Sequence, residues 1–162
     1  MEKSLNVGTS LVAQQLGKEL LYTYLRRSGY GELTGVNLPG ESMGLLRMPS
    51  TWSGVDISML SFGQGIAVTP LQLAASLSII TNEGRLIKPR IIKGMMDADR
   101  RTLRSSRIKY GEQVVSKSTA NKMKIIMKSI VENGTGEITK LDGVSIGAKT
   151  GTAQKARENG IG

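Results

Sequence analysis

An α+β fold is predicted by three observations. Several stretches repeat apolar residues at helical spacing, others read as strands, and the two kinds mix without βαβ regularity. No internal repeat is visible, and 162 residues are enough for one domain with a single core.

The first predicted element is a helix over residues 7 to 27. Val7, Leu11, Val12, Leu16, Leu20, Leu21, Tyr24 and Leu25 recur every three or four residues, with Gln14, Gln15, Lys18 and Glu19 between them. Asn6 stands where a side-chain oxygen caps free N–H groups, Arg26 and Arg27 suit the negative end, and Gly29 stops the run. Residues 28 to 68 are punctuated by glycines and by Pro39 and Pro49, which predicts a long irregular excursion packed on a scaffold. Within it, Leu38-Pro39-Gly40-Glu41 reads as a structural turn.

The best-signalled helix follows. Thr69-Pro70-Leu71-Gln72 supplies a capping Thr, a Pro at the first helical position and a Gln able to bond back. Leu71, Leu73, Ala74, Ala75, Leu77, Ile79 and Ile80 make this helix apolar nearly all round, which implies burial on several sides, and Gly84 ends it. Leu86 to Met96 reads as a strand, with Pro89 arguing for an edge or a break. Residues 97 to 110 are turn-like, and Gln113 to Ser116 can pair briefly. A helix is predicted from about Thr119 to Glu132, with Met123, Ile126, Met127, Ile130 and Val131 inside and Lys122, Lys124 and Lys128 outside. Asn133-Gly134-Thr135-Gly136 closes it, and Val144 to Ala156 reads as a strand carrying Lys149-Thr150-Gly151-Thr152.

Composition narrows the chemistry. The chain has neither cysteine nor histidine, which excludes disulfides, thiol nucleophiles, Cys or His metal sites and a Ser-His-Asp triad. Any general base must be Lys, Asp, Glu or Tyr. The lack of cysteine fits an oxidising envelope, where unpaired thiols are a liability, but many cytosolic proteins also lack it. No apolar run approaches the ~20 residues that span a bilayer, and no basic-then-apolar leader follows Met1. Net charge is +9, and +7 of it falls within residues 85 to 109, from Arg85 to Lys109. With Tyr110 the only aromatic close by and no helix-turn-helix or zinc pattern, this stretch reads as a solvated basic face rather than a nucleic-acid site.

Two short motifs matter as a pair: Ser4-Leu5-Asn6 before a helix, and Lys149-Thr150-Gly151 on a predicted strand. Their surroundings extend the pattern through Lys3 to Gly8, Leu38 to Glu41, Trp52, Ser61-Phe62-Gly63-Gln64-Gly65, Val68 to Ala74, Asn133 to Gly136 and Gly147 to Gln154. In these residues the chain resembles the transpeptidase domain of class B penicillin-binding proteins, and the Gly-Gln-Gly to Thr-Pro-Leu-Gln-Leu-Ala stretch favours that class over β-lactamases. Leu5 departs from the small residue usual at the middle of Ser-x-Asn.

The resemblance implies a penicillin-binding fold, with helices on an antiparallel sheet that is incomplete in this chain. It also implies that residues 1 to 162 form an internal part of the domain, without the upstream Ser-x-x-Lys nucleophile segment and the C-terminal strands. Ser106-Arg107-Ile108-Lys109 spells Ser-x-x-Lys, but in a basic, turn-rich stretch on the wrong side of Ser-x-Asn. The implied reaction is D,D-transpeptidation of peptidoglycan stem peptides, with β-lactams as inhibitors and no cofactor or metal. The implied setting is the outer face of the cytoplasmic membrane, beside membrane proteins of cell division or elongation. The chain alone is expected to be inactive, and marginally stable or prone to self-association.

By resemblance, Ser4 relays protons between the general base and the leaving group, and Asn6 holds a substrate amide and the catalytic lysine. Lys149 supplies positive potential to the substrate carboxylate and the oxyanion. Thr150 and Thr152 offer hydroxyls to that carboxylate, and the Thr152 N–H forms half of the oxyanion hole. Gly151 has its own physical reason, since a missing side chain lets a substrate backbone approach. The competing readings are a non-catalytic penicillin-fold binding module and, last, a basic nucleic-acid-binding domain.

Overall fold

In the computed structural model, residues 1–105, 107–151, 156, 157, 160 and 161 are described. The predicted helix over 7 to 27 is two helices, α1 (Asn6–Leu16) and α2 (Lys18–Arg27). Gly17 divides them at φ 81, ψ 155. Its N–H still bonds the Ala13 carbonyl at 3.0 Å and its carbonyl accepts from the Leu21 N–H at 3.0 Å. A glycine in a helix interior costs about 1 kcal/mol against alanine, and only glycine takes such a φ freely. The apolar period runs unbroken across this break, which is why periodicity alone reads one helix. Asn6 is not the cap either: it is the first helical residue, and Leu5 precedes it without any side-chain cap.

The excursion is irregular, as predicted, with only a 3-10 turn (Pro49–Thr51) and α3 (Asp56–Ser61) inside it. Polar side chains hold it in place. Gln72, only 1% exposed, donates to the carbonyls of Glu32 at 2.8 Å and Met43 at 2.9 Å. Asp56 accepts from the Ser53 hydroxyl at 2.8 Å and pairs with Arg47. Ser53 first, and Arg47 after it, hold the Asp56 carboxyl below its ordinary value against the opposing effect of burial. Glu41 accepts from the Thr34 N–H at 2.7 Å and from the Thr34 hydroxyl, so it fastens a turn. Gly44, at φ 66, lies so close to the 67 segment that a Cβ would sit 2.2 Å from the Ala67 carbonyl oxygen. On the other side, Trp52 meets Tyr22 of α2 edge-on with ring centroids 6.3 Å apart.

The helix α4 (Pro70–Thr81) has the predicted capping box: the Thr69 side chain accepts from the Gln72 N–H at 3.1 Å, and the Gln72 side chain accepts from the Thr69 N–H at 2.8 Å. Burial on several sides is not found. Gln72 and Ile79 are buried, but Leu73 is 48% and Leu77 44% exposed. Gly84 ends this region at φ 91, pressed against the Val115 carbonyl.

The predicted strand Leu86 to Met96 is split into β1 (Arg85–Lys88) and β2 (Gly94–Met96), with Pro89 just past the end of β1. The stretch read as turn-like contains β3 (Thr102–Ser105) and the start of β4 (Lys109–Gln113). β1 pairs antiparallel with β4, and β2 with β3, so the sheet is a set of small two-stranded ladders. A last ladder joins β5 (Ala156–Arg157) to β6 (Gly160–Ile161). Helix α5 (Lys117–Asn133) begins two residues earlier than predicted, because the Ser116 hydroxyl accepts from the Thr119 N–H at 3.0 Å and caps it. The α+β class is therefore the observed one.

Among the described residues the core is small: Ala13, Leu60, Ile79, Val114, Ala120, Ile130 and Val131. Of the predicted inner stripe of α5, Ile130 and Val131 are buried while Ile126 is exposed. The chain presents 11653 Å² of accessible surface. A folded monomer of 17.4 kDa presents roughly 7,900 Å² by the usual mass scaling, so about half as much again is uncovered here. Among the described residues no helix is long and apolar enough to cross a membrane.

Candidate active site

The C-terminal end of α5 gathers the two motifs. After its last turn the chain bends back, the Gly136 N–H bonding the Ile130 carbonyl at 3.0 Å. The returning segment docks on the same helix, where the Ala148 N–H bonds the Met127 carbonyl at 3.2 Å. A Cβ on Gly147 would lie 3.1 Å from the Met127 Cβ, so a small residue suits this contact. The N-terminal turn docks on the other side. The Thr135 N–H donates to the Glu2 carbonyl at 3.1 Å, and the Ser129 hydroxyl donates to the Glu2 carboxylate. A Cβ on Gly134 would lie 2.6 Å from the Glu2 carbonyl oxygen, so this approach requires glycine.

Between these anchors Lys149 and Ser4 meet. The Lys149 ammonium donates to the Ser4 hydroxyl oxygen at 2.7 Å, to the Thr150 carbonyl at 2.7 Å and to the Thr150 hydroxyl at 3.3 Å. Ser4 sits at φ 49, a left-handed conformation uncommon for a residue with a side chain, and its N–H bonds the Met1 carbonyl at 3.1 Å. Because the ammonium has no acceptor, Ser4 must accept from it, and the serine proton is left free to be given elsewhere. The Thr150 hydroxyl also shares a bond with the Thr135 hydroxyl at 3.1 Å.

Of the predicted site residues, then, Ser4, Lys149 and Thr150 are brought together. Asn6 stands at the start of α1, two residues beyond Ser4. Gly151 follows with nothing within 4 Å of where its Cβ would be. Thr152 and the decoy residue Ser106 lie outside the described residues. Lys149-Thr150-Gly151 was expected on a strand, and the structure corrects this: these residues have no strand pairing, and an isolated bridge between Leu141 and Val144 comes before them. Ser4, Asn6, Lys149, Thr150 and Gly151 are all exposed, so the shielding that would strengthen the lysine's field is not provided by the described residues.

Sequence reasoning assigned no site role to Glu2, Gly134 and Thr135, although Asn133 to Gly136 stood out as a motif. Gly134-Thr135 read as the close of a helix, and nothing local reveals that the turn also grips residue 2. The basic stretch lies on the β1–β4 and β2–β3 ladders, where the Arg85 guanidinium lies 5.9 Å from the Tyr110 ring centroid. A depression of about 330 Å³ beside α5, lined by residues such as Lys128, Glu132, Lys140 and Val144, includes none of the predicted site residues. Among the described residues no cluster of acidic side chains is arranged to hold a metal.

The chain is similar to known proteins. The family model of the penicillin binding protein transpeptidase domain matches residues 1–162. Penicillin-binding protein PbpB of Mycolicibacterium smegmatis is 41% identical over 160 residues, covering 94% of this chain and 24% of the relative. Stage V sporulation protein D of Bacillus subtilis is 35% identical over 159 residues, covering 98% of this chain and 25% of the relative. Penicillin binding protein 3 from Mycobacterium tuberculosis, solved with ampicillin, superimposes with a TM-score of 0.89 at 36% identity, over 97% of this chain and 36% of that one. The chain thus spans about a quarter of the length of the curated relatives it matches.

Proposed function

Because the chain belongs to the penicillin-binding protein transpeptidase domain family, in its class B branch, we propose that it is the Ser-x-Asn to Lys-Thr-Gly part of a serine-type peptidoglycan D,D-transpeptidase. The observation that carries this reading is the 2.7 Å bond from Lys149 to Ser4, which joins the two motifs across 145 residues of sequence. The large uncovered surface supports a fold completed by further segments, including one with the nucleophilic serine and its lysine and one with the closing strands.

In the proposed reaction, that serine attacks the carbonyl between the two terminal D-alanines of a stem peptide. The C–N bond breaks, D-alanine leaves, and the peptide remains as an ester on the serine. The amine of a second stem peptide then attacks the ester, forms the cross-link and returns the serine. Ser4 gives its proton toward the leaving amine while its oxygen accepts from Lys149. Lys149 draws the substrate carboxylate and stabilises the oxyanion, with Thr150 and Thr152 as hydroxyl donors. The Thr152 N–H forms half of the oxyanion hole, and Asn6 holds the stem-peptide amide and the catalytic lysine. Gly151 leaves space for the substrate backbone to lie alongside.

On this reading β-lactams acylate the same serine, and the whole protein works on the outer face of the cytoplasmic membrane with division or elongation partners. The 162-residue chain alone is inactive, because Ser106 and Lys109 are the wrong pair. The test is acylation by a labelled penicillin. The chain alone should show no covalent adduct by intact mass. In a complete domain, Lys149→Ala should slow acylation by about 10²–10³, the usual cost of losing an oxyanion donor, and Thr152→Val by less because its backbone donates. Small and equal effects of the two substitutions would overturn the reading in favour of a binding module.

A further inference from the structure

The Thr135 hydroxyl has no part in the scheme above, yet it bonds the Thr150 hydroxyl, whose direction matters to that scheme. A threonine hydroxyl carries one proton and two lone pairs. For Thr150 to donate to a substrate carboxylate, its proton must stay free of protein acceptors, leaving its two lone pairs to take the bonds from its neighbours. Lys149 fills one, at 3.3 Å, because an ammonium can only donate. The Thr135–Thr150 bond, at 3.1 Å, can run either way. Only one direction leaves the Thr150 proton free, that in which Thr135 donates.

We propose that Thr135 is a positioning residue for the transpeptidase reaction: it donates to Thr150, so that the Thr150 hydroxyl faces the substrate as a donor for its terminal carboxylate. Thr135 is itself held for this task. Its N–H is fastened to the Glu2 carbonyl at 3.1 Å, and the glycine before it has no room for a side chain against residue 2. One turn therefore grips Glu2, two residues before Ser4, and orients Thr150. This inference rests on the functional reading above.

The experiment compares Thr135→Val, which keeps the shape and removes the hydroxyl, with Thr135→Ser, which keeps the hydroxyl, in a complete transpeptidase domain. Acylation is followed with a D-Ala-D-lactate depsipeptide bearing a free carboxylate and with its methyl ester, and thermal midpoints are recorded. Losing one hydrogen bond of ordinary strength predicts a slowing of about 3- to 10-fold for Thr135→Val on the carboxylate substrate. The methyl ester should be nearly unaffected, and Thr135→Ser should restore the rate. An unchanged rate with Thr135→Val overturns the proposal, as does a loss of equal size on both substrates, which marks a merely structural residue. Lys149→Ala in the same assay separates the two claims. If it too leaves the rate unchanged, the functional reading fails; if it slows acylation while Thr135→Val does not, only the role of Thr135 fails.

Discussion

Ile130 in α5 and Gln72 in α4 are almost wholly withdrawn from solvent, at 0% and 1% exposure, but by opposite means. Ile130 belongs to the apolar cluster under the turn that assembles the site, next to Val131 and with its carbonyl accepting from Gly136. Gln72 is buried because the excursion wraps it and uses it, each of its amide hydrogens going to a loop carbonyl. Its neighbours Leu73 and Leu77, far more hydrophobic, lie open. The difference teaches that burial in this chain follows the partner available rather than the polarity of the residue.

Four substitutions test that contrast by urea unfolding, the first three within a complete transpeptidase domain. Ile130→Ala should cost most, about 2–5 kcal/mol, as the removed atoms leave a cavity in a closely packed region. Gln72→Leu, similar in size, should cost about 2–3 kcal/mol because the Glu32 and Met43 carbonyls lose their donor inside the fold. If Gln72→Leu proves neutral, burial at this position is apolar after all and the contrast collapses. Thr69→Ala should cost about 1 kcal/mol, the usual value of a helix cap, and should leave the excursion's own hydrogen bonds intact. Leu73→Ala sharpens the comparison from the other end. In the 162-residue chain it should change stability by less than about 0.5 kcal/mol, whereas in the complete domain the same change should approach the core value of about 2–5 kcal/mol. Equal costs in both settings would mean that nothing further covers α4.

Much of this was legible in the sequence. The capping box at Thr69, the terminal Gly84, the irregular excursion and the turn at Glu41 each depend on a few adjacent residues, so local chemistry sufficed. The misses depend on distance. Gly17 breaks a helix whose apolar period continues past it. Strand pairing between residues 85 and 113 was hidden in the polar composition of 97 to 110. In the site, the residue types of Ser4, Lys149 and Thr150 carried their own signal, and the structure adds that these three meet. Glu2 and Thr135 carried none, because what brings them together is a bond between backbone groups far apart in the sequence.

The grip of the 134–135 turn on residue 2 also has a consequence in time. Ser4 is made near the start of this stretch and Lys149 is made 145 residues later. At about 5–20 residues per second, the serine waits roughly 7–30 s before its partner leaves the ribosome. For most of that interval α1 can form while the turn that grips Glu2 does not yet exist. The bond between the two motifs therefore forms only after Lys149 is made, and a chain halted before residue 134 carries Ser4 with neither the turn that grips Glu2 nor the lysine it bonds.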